Sequence, residues 1–321
     1  MRRNTQLAGV LARRLAIFVA TVMGVVIVIH SLLWLAPGDA IDTLPSGEEL
    51  RPMLEREWGL EQPFVTRMTT VFGRLSRGDF GTSWTYRPGL SVSTIIATPA
   101  VKSMFTLLGA IALALGWALS LAWWSSARPS RSKLAMQLLS VAPVFLLAHL
   151  AILGLNGLAH QGLQAGWWGR PSWFALPLEA SGFKTLLTIV VLAVGSGVLH
   201  ELHLEFETAL RRLRNASFIE AARGRGEPLG GHLVSNLLPF AFEVIGRRIG
   251  FFVGGLVVLE KVMLQNGCGA ILWDAAVLRD VPLAAAISLI AAIAVCCVRF
   301  GADAGRIALD PRLRHAERTD A

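Results

Sequence analysis

Long apolar runs without a charged side chain alternate with short polar segments along this chain. Runs at 15–38, 103–127 and 134–169 each exceed the roughly 20 residues that a helix needs to cross about 30 Å of hydrocarbon. Shorter runs at 185–200 and 281–298 reach that length with their flanking residues. The pattern predicts a series of membrane-spanning helices.

A sixth candidate span, 237–259, has the right length but contains Glu243, Arg247 and Arg248. A charged side chain facing lipid costs about 2.5 to 3.5 kcal/mol on insertion scales, so these residues must find water or partners. Glu243 precedes Arg247 by four residues, the favourable order for an ion pair on a helix. One hypothesis is that an arginine lines a translocation path and favours anionic groups. The alternative is that all three hold helices together or lie at the cytoplasmic mouth.

Composition supports a membrane protein, because 54% of the residues are hydrophobic and only 16% are charged, with a mean hydropathy of +0.55. In an ordinary soluble domain about a quarter of the residues are charged. We therefore predict an all-α, polytopic membrane protein with about six transmembrane helices. The expected parts are spans at 15–37, 103–127, 134–158, 183–204, 237–259 and 281–300, an extracytoplasmic cap at 38–102, and tails at 1–14 and 301–321.

The basic residues predict the orientation of these spans. Four arginines precede residue 15, three Lys or Arg lie in 125–133, and five arginines lie in each of 201–239 and 299–321. The alternate loops at 159–184 and 260–282 have two each. Because cytoplasmic loops carry the excess of Lys and Arg, both termini are expected in the cytoplasm. The net charge of +8 is thereby explained without nucleic acid.

The most informative polar segment lies between the fourth and fifth spans. It reads Phe-Ile-Glu-Ala-Ala-Arg-Gly-Arg-Gly over 218–226. Ser217 with Glu220 three residues later predicts a capping box, and the glycines predict the helix end. Phe218, Ile219 and Ala222 can form one small apolar contact face. We predict a short cytoplasmic helix that serves as a docking element.

At these residues the chain resembles a permease subunit of bacterial ABC importers of the oligopeptide, dipeptide and nickel type. Glu220-Ala221-Ala222, Gly226 and Leu238-Pro239 are similar to the EAA loop of that family, here at 214–239. Further similar stretches are Leu35-Ala36-Pro37-Gly38-Asp39, Arg77-Gly78-Asp79-Phe80-Gly81, Arg279-Asp280 and Asp310-Pro311-Arg312-Leu313-Arg314.

The resemblance implies a type I importer permease with a cytoplasmic coupling helix and a periplasmic cap, in the bacterial inner membrane. It implies a second permease subunit in a heterodimer, two cytoplasmic ATPase subunits that hold ATP and Mg, and a periplasmic solute-binding protein. The cargo would be a peptide or a similar small solute. No catalytic residue is expected, and the sequence has no phosphate-binding G-x-x-x-x-G-K-[ST] loop. The coupling residues would be Phe218, Glu220, Ala221, Ala222, Arg223 and Gly226.

The segment 261–280 is too polar and glycine-rich for a lipid-facing span. We predict a re-entrant or gating loop that includes Glu260, Gly267 and Gly269, because glycine permits a tight backbone path and irregular backbone needs protein or water around it. A plain surface loop is the alternative.

Two other protein classes are alternatives for this sequence. His200, His203 and Glu207 share a helical face, which could indicate a membrane metalloenzyme, but the second His of H-E-x-x-H is missing and no metal site is expected. An ATP-independent secondary transporter would show paired repeats and carboxylates at mid-membrane, and neither is evident.

Overall fold

The structure is a computed structural model that describes residues 2–35, 40–44, 47–125, 137, 141–166 and 181–309. Within these ranges the regular structure is helical, apart from one isolated antiparallel bridge between Thr82 and Ser91. The helices are α1 Arg2–Leu35, α2 Gly47–Trp58, α3 Phe64–Leu75, α4 Val92–Ser125, α5 Val144–Gln164, α6 Ser181–Val194, α7 Val198–Arg214, α8 Ser217–Gly224, α9 Leu229–Val262, α10 Cys268–Val277 and α11 Val281–Leu309. The all-α prediction is confirmed.

Four of the described helices are long and apolar enough to cross a membrane: α1, α4, α5 and α11. A fifth candidate is the bent pair of α6 and α7, if the two count as one span. Helix α9 has 34 residues but carries Glu243, Arg247 and Arg248 near its middle and is not in this set. A bundle of six spans therefore stays a prediction.

Several helices begin elsewhere than the sequence predicted. Helix α4 starts at Val92 instead of residue 103, and α9 starts at Leu229 instead of 237. Leu238-Pro239 thus belongs to a helix and not to a loop. The first residues of the expected span 134–158, and most of the expected C-terminal tail, lie outside the described residues.

The fourth predicted span is not one continuous helix. A 3₁₀ turn at Gly195–Gly197 separates α6 from α7, and the two helices are bent by 53°. Gly197 has φ +76°, a left-handed conformation that favours glycine. A Cβ at Gly195 would lie 2.6 Å from Val144 Cγ2, so close packing against α5 also requires glycine there. The span expected at 183–204 is therefore interrupted by this turn.

The chain divides into two compact units, Met1–Ser103 with Asn266–Cys296 and Met104–Gln265 with Cys297–Ala321. In the first unit, α4, α10 and the start of α11 enclose an apolar core. Its buried members are Val92, Ile95, Ile96, Ile271, Ala275, Leu283, Ala284, Ala286 and Ile287.

The predicted cap belongs to the first unit. It contains two helices, α2 and α3, which are separated by residues 59–63. The loop 83–86 is fastened to the start of α11 by Asp280, which is fully buried. Asp280 accepts hydrogen bonds from Ser83 Oγ at 2.5 Å, from the backbone N–H groups of Trp84, Thr85 and Tyr86 at 3.0, 3.1 and 3.0 Å, and from Leu283 N–H at 3.2 Å.

In the second unit, α7 packs along α9, and α9 also contacts α5 and α6. Leu202, Phe206 and Leu210 form the buried stripe of α7. Phe206 meets Phe240 of α9 edge to face, with ring centroids 5.6 Å apart. Helices α7 and α9 therefore pack against each other. In the chain they come directly before and after the short helix α8.

Candidate functional site

Helix α8 connects two packed helices and contacts both of them. Its first turn begins after Ala216, whose carbonyl accepts the N–H groups of Ile219 and Glu220 at 2.9 and 3.2 Å. No side chain caps this end, so the predicted capping box is wrong: Ser217 is already the first helical residue. Glu220 in the first turn and Arg223 in the last turn both oppose the partial charges of the helix ends.

The two faces of α8 differ in burial. Ile219 and Ala222 are 0% and 1% exposed, so they anchor the helix within this chain. The prediction that both share an outward contact face with Phe218 is therefore wrong. Removing the Ile219 side chain from water contributes about 1.5 to 3 kcal/mol to the seating of α8. The exposed residues of α8 are Ser217, Phe218, Glu220, Ala221, Arg223 and Gly224, and we call Phe218, Glu220, Ala221 and Arg223 its exposed face.

The C-terminal end of α8 has a defined hydrogen-bonded form. The N–H of Gly226 donates to the Arg223 carbonyl at 3.0 Å, and the N–H of Glu227 donates to the Ala222 carbonyl at 3.0 Å. This is a Schellman motif, in which the residue after the C-cap is left-handed. Gly226 has φ +74°, as that motif requires.

A small ionic group follows this end. Arg225 donates to Glu227 from Nε at 2.6 Å and from Nη2 at 3.1 Å, and His232 Nε2 lies 3.1 Å from the same carboxylate. The hydrogen bonds from Arg225, with a smaller effect of His232, lower the pKa of Glu227 to about 2. The stability that ionised Glu227 contributes to the folded protein is therefore complete above the ordinary pKa of Glu. It is lost only as the pH falls towards 2. Glu227 stays ionised at physiological pH.

The arginines of α9 belong to a charge cluster of six residues on three helices. Arg247 donates to Glu205 and to Glu243, each at 2.6 Å. Arg248 pairs with Glu201 and, at 3.0 Å, with Glu205. We define the charge cluster as Glu201 and Glu205 of α7, Glu243, Arg247 and Arg248 of α9, and Arg306 of α11, whose Nη2 lies 3.2 Å from Glu243.

Each arginine of the charge cluster is paired with at least one of its carboxylates. The ion pair expected between Glu243 and Arg247 is present. Three carboxylates meet three guanidinium groups, so no positive charge is left over to favour an anion. The geometry supports the alternative reading, in which the charges join α7 to α9 and α11. A role of Arg247 or Arg248 in the translocation path stays a prediction.

The predicted gating segment contains a helix, α10, and is therefore more ordered than a plain loop. Gly267 caps α10 with φ −110°, and Gly269 is buried in its first turn. The left-handed residues of this segment are instead Leu264 and Arg279, at φ +52° and +56°. The prediction that the glycines make the tight turns is wrong. Glu260 is buried at the end of α9, and its gating role stays a prediction.

The histidine face of α7 has ordinary helical partners. His203 Nε2 lies 3.7 Å from Glu207 Oε2, and Arg211 donates to Glu207 Oε1 at 2.7 Å. Within the described ranges, no three His, Cys, Asp or Glu side chains are grouped to hold a metal ion.

Sequence reasoning predicted the pair of Glu243 and Arg247 within α9 but missed the partners of these charged residues on α7 and α11. Glu201 and Glu205 are four residues apart, which places them on one face of α7, and that spacing was visible. Which helix this face would contact was not visible. Asp280 belongs to a family-like stretch, but four of its five side-chain hydrogen bonds come from positions almost 200 residues away.

Comparisons with known proteins identify the chain. Residues 110–315 match the model of the family described as "Binding-protein-dependent transport system inner membrane component". The chain belongs to this family.

Two relatives cover nearly all of the permease. The oligopeptide transport system permease protein AppB of Bacillus subtilis is 24% identical over 96% of this chain and 100% of its own length. The glutathione transport system permease protein GsiC of Salmonella typhimurium is 22% identical over 94% of this chain and 98% of its own length. The resemblance to importers of the peptide type is confirmed.

Membership defines the role of the permease at a coarse level. It is a multi-pass inner-membrane subunit of a binding-protein-dependent importer and is a transporter subunit, not an enzyme. Its family works with ATPase and substrate-binding subunits. The region with Glu220-Ala221-Ala222 is the EAA motif of this family.

Proposed function

We propose that this permease forms the path for short peptides in an ATP-driven importer and is driven through α8. The observation that carries the proposal is the division of α8 into an anchored face and an exposed face. Ile219 and Ala222 fix the helix to α7 and α9, while Phe218, Glu220, Ala221 and Arg223 are available to another protein.

The exposed face fits a groove on a cytoplasmic ATPase subunit. Phe218 supplies an apolar contact, and Ala221 allows close approach of the partner. Arg223 and Glu220 supply charges of both signs for orientation. Since Gly226 ends α8, Ala222 and Gly226 act by holding the helix in place rather than by touching the partner.

The assembly is proposed to contain a second permease subunit, two ATPase subunits with ATP and Mg, and a periplasmic binding protein. Both termini lie in the cytoplasm, as the Lys and Arg excess indicates. Short peptides are the proposed cargo because the relatives are named for oligopeptides and glutathione, which share the amide backbone.

The test is uptake by proteoliposomes that contain the permease with its co-purified subunits and ATP inside. We expect uptake of radiolabelled tripeptides that requires both ATP and the binding protein. A variant with Phe218→Ala and Arg223→Ala should insert normally and lose most of this uptake. Peptide accumulation without ATP, or full uptake by the double variant, would refute the proposal.

A further inference from the structure

A cavity of about 900 Å³ lies within the unit formed by Met1–Ser103 and Asn266–Cys296. Helices α2 and α3, the segment after α3 and the start of α11 build its wall, and α1 contributes Val26 and His30. Protein sites for small ligands commonly measure about 300 to 1,000 Å³. No residue of the exposed face of α8 or of the charge cluster lines this cavity.

The charged side chains of the wall balance each other. Four carry a positive charge and four carry a negative charge, so a ligand with only one sign of charge gains no overall attraction. A molecule with one positive and one negative group finds a partner for each. These wall residues are Arg56, Arg67, Arg74 and Arg279, and Glu55, Glu57, Glu61 and Asp79.

Some of these groups are open to a ligand. Arg74 of α3 is exposed, and no ion pair of its guanidinium occurs in the part of the chain that the structure describes. The same holds there for Glu57 and Glu61, which lie at the end of α2 and just after it. A guanidinium offers a bidentate match to a carboxylate, and a carboxylate accepts hydrogen bonds from an ammonium group.

Two further features of the wall suit a peptide. Trp58 and Trp84 stack with ring centroids 4.7 Å apart and an angle of 3°, which provides a flat apolar surface for side chains. Arg279 keeps a left-handed backbone, φ +56°, that glycine would adopt without strain. A strained residue whose side chain lines a cavity points to a use for that side chain.

We infer that this cavity is a receiving site for a short zwitterionic peptide. The peptide carboxylate pairs with Arg74, and its ammonium group lies at Glu57 and Glu61. The inference rests on the proposed function. It adds that this cavity of the cap holds the cargo after the binding protein releases it. The balanced charge argues against an acidic surface of the binding protein as the occupant.

The test is equilibrium dialysis of radiolabelled trialanine against the purified complex in nanodiscs, without binding protein. We expect trialanine to bind, and a tenfold excess of N-acetyl-trialanine amide, which lacks both charges, not to displace it. Arg74→Gln should weaken binding at least fivefold. Arg77→Gln should leave it unchanged, because Arg77 is exposed three residues further on and does not line the cavity.

A second measurement does not depend on any substitution. A tripeptide with a photoreactive phenylalanine analogue should crosslink within residues 55–84, and excess trialanine should prevent this. Crosslinks only outside that range, absent trialanine binding, or equal affinities of the two arginine variants would overturn the receiving site. If ATP-dependent peptide uptake continues in that case, the proposed function stands alone. If no peptide is taken up at all, the proposed function fails first and the receiving site with it.

Discussion

At the scale of single residues, Gly226 sets the end of α8. Its left-handed backbone closes the Schellman motif, and among the residues that the structure describes a Cβ there would meet no atom within 4 Å. A larger side chain would therefore be opposed by backbone strain of about 1 to 2 kcal/mol and not by a clash inside the chain.

We expect Gly226→Leu to lower ATP-dependent uptake at least tenfold while membrane insertion stays normal. Gly226→Asn should keep most of the activity, because Asn tolerates the left-handed region. Gly230→Ala is the matched control: it lies in α9 with open space around it and should be neutral. Equal uptake by the Leu and Asn variants would show that backbone strain is not the cause.

Asp280 is the second decisive residue, because one buried carboxylate holds the cap loop. We expect Asp280→Ala to destabilise the permease by about 3 kcal/mol or more, since it leaves several buried donors without an acceptor. Thermal unfolding in detergent and proteolysis of the loop 83–86 measure the effect.

Asp79→Ala provides the comparison for this experiment. Asp79 is exposed and accepts one backbone hydrogen bond, from Gly81 at 2.8 Å. Its loss should change stability by about 1 kcal/mol or less. If the two alanine variants unfold alike, Asp280 does not fasten the cap.

At the scale of elements, α7, α8 and α9 contact one another. The apolar contacts of Phe206 and the ion pairs of the charge cluster join α7 to α9, and Ile219 seats α8 between them. We therefore expect a force applied to α8 to move both long helices together.

We expect Glu205→Gln to weaken the coupling between ATP hydrolysis and uptake, since it removes the carboxylate shared by Arg247 and Arg248. A double-mutant cycle of Glu205→Gln with Arg247→Ala should give a coupling energy of about 0.5 to 2 kcal/mol in unfolding measurements. The partial exposure of these groups keeps this value modest.

Arg248→Ala, compared with Glu205→Gln, separates the two proposed roles of the arginines. If Arg248 binds cargo, Arg248→Ala should change the preference between peptides with free and amidated carboxyl termini, and Glu205→Gln should not. We expect both variants to lower uptake of the two peptides alike. A selective loss of the free-carboxylate peptide in Arg248→Ala alone would favour the translocation path.

At the scale of the whole molecule, hydropathy predicted the helical fold because a long apolar run indicates a helix at that place in the chain. The run at 185–200 is the exception, since it is divided between α6 and α7. The position of the short helix α8, Ser217–Gly224, followed from local signals in the same way. The bend at Gly195–Gly197 depends on packing against Val144, and the partners of Arg247 depend on which face of α7 meets α9. A local sequence pattern does not indicate which distant segments will contact each other.

The orientation of α8 tests the central claim most directly. In a permease with Cys268, Cys296 and Cys297 replaced by alanine, Ala221→Cys and Arg77→Cys are each labelled with a membrane-impermeant maleimide. We predict that Ala221→Cys reacts only in inside-out vesicles, where a bifunctional maleimide reagent crosslinks it to the ATPase subunit. Arg77→Cys in the cap should react only in right-side-out vesicles. Labelling of Ala221→Cys from the outside would contradict the account.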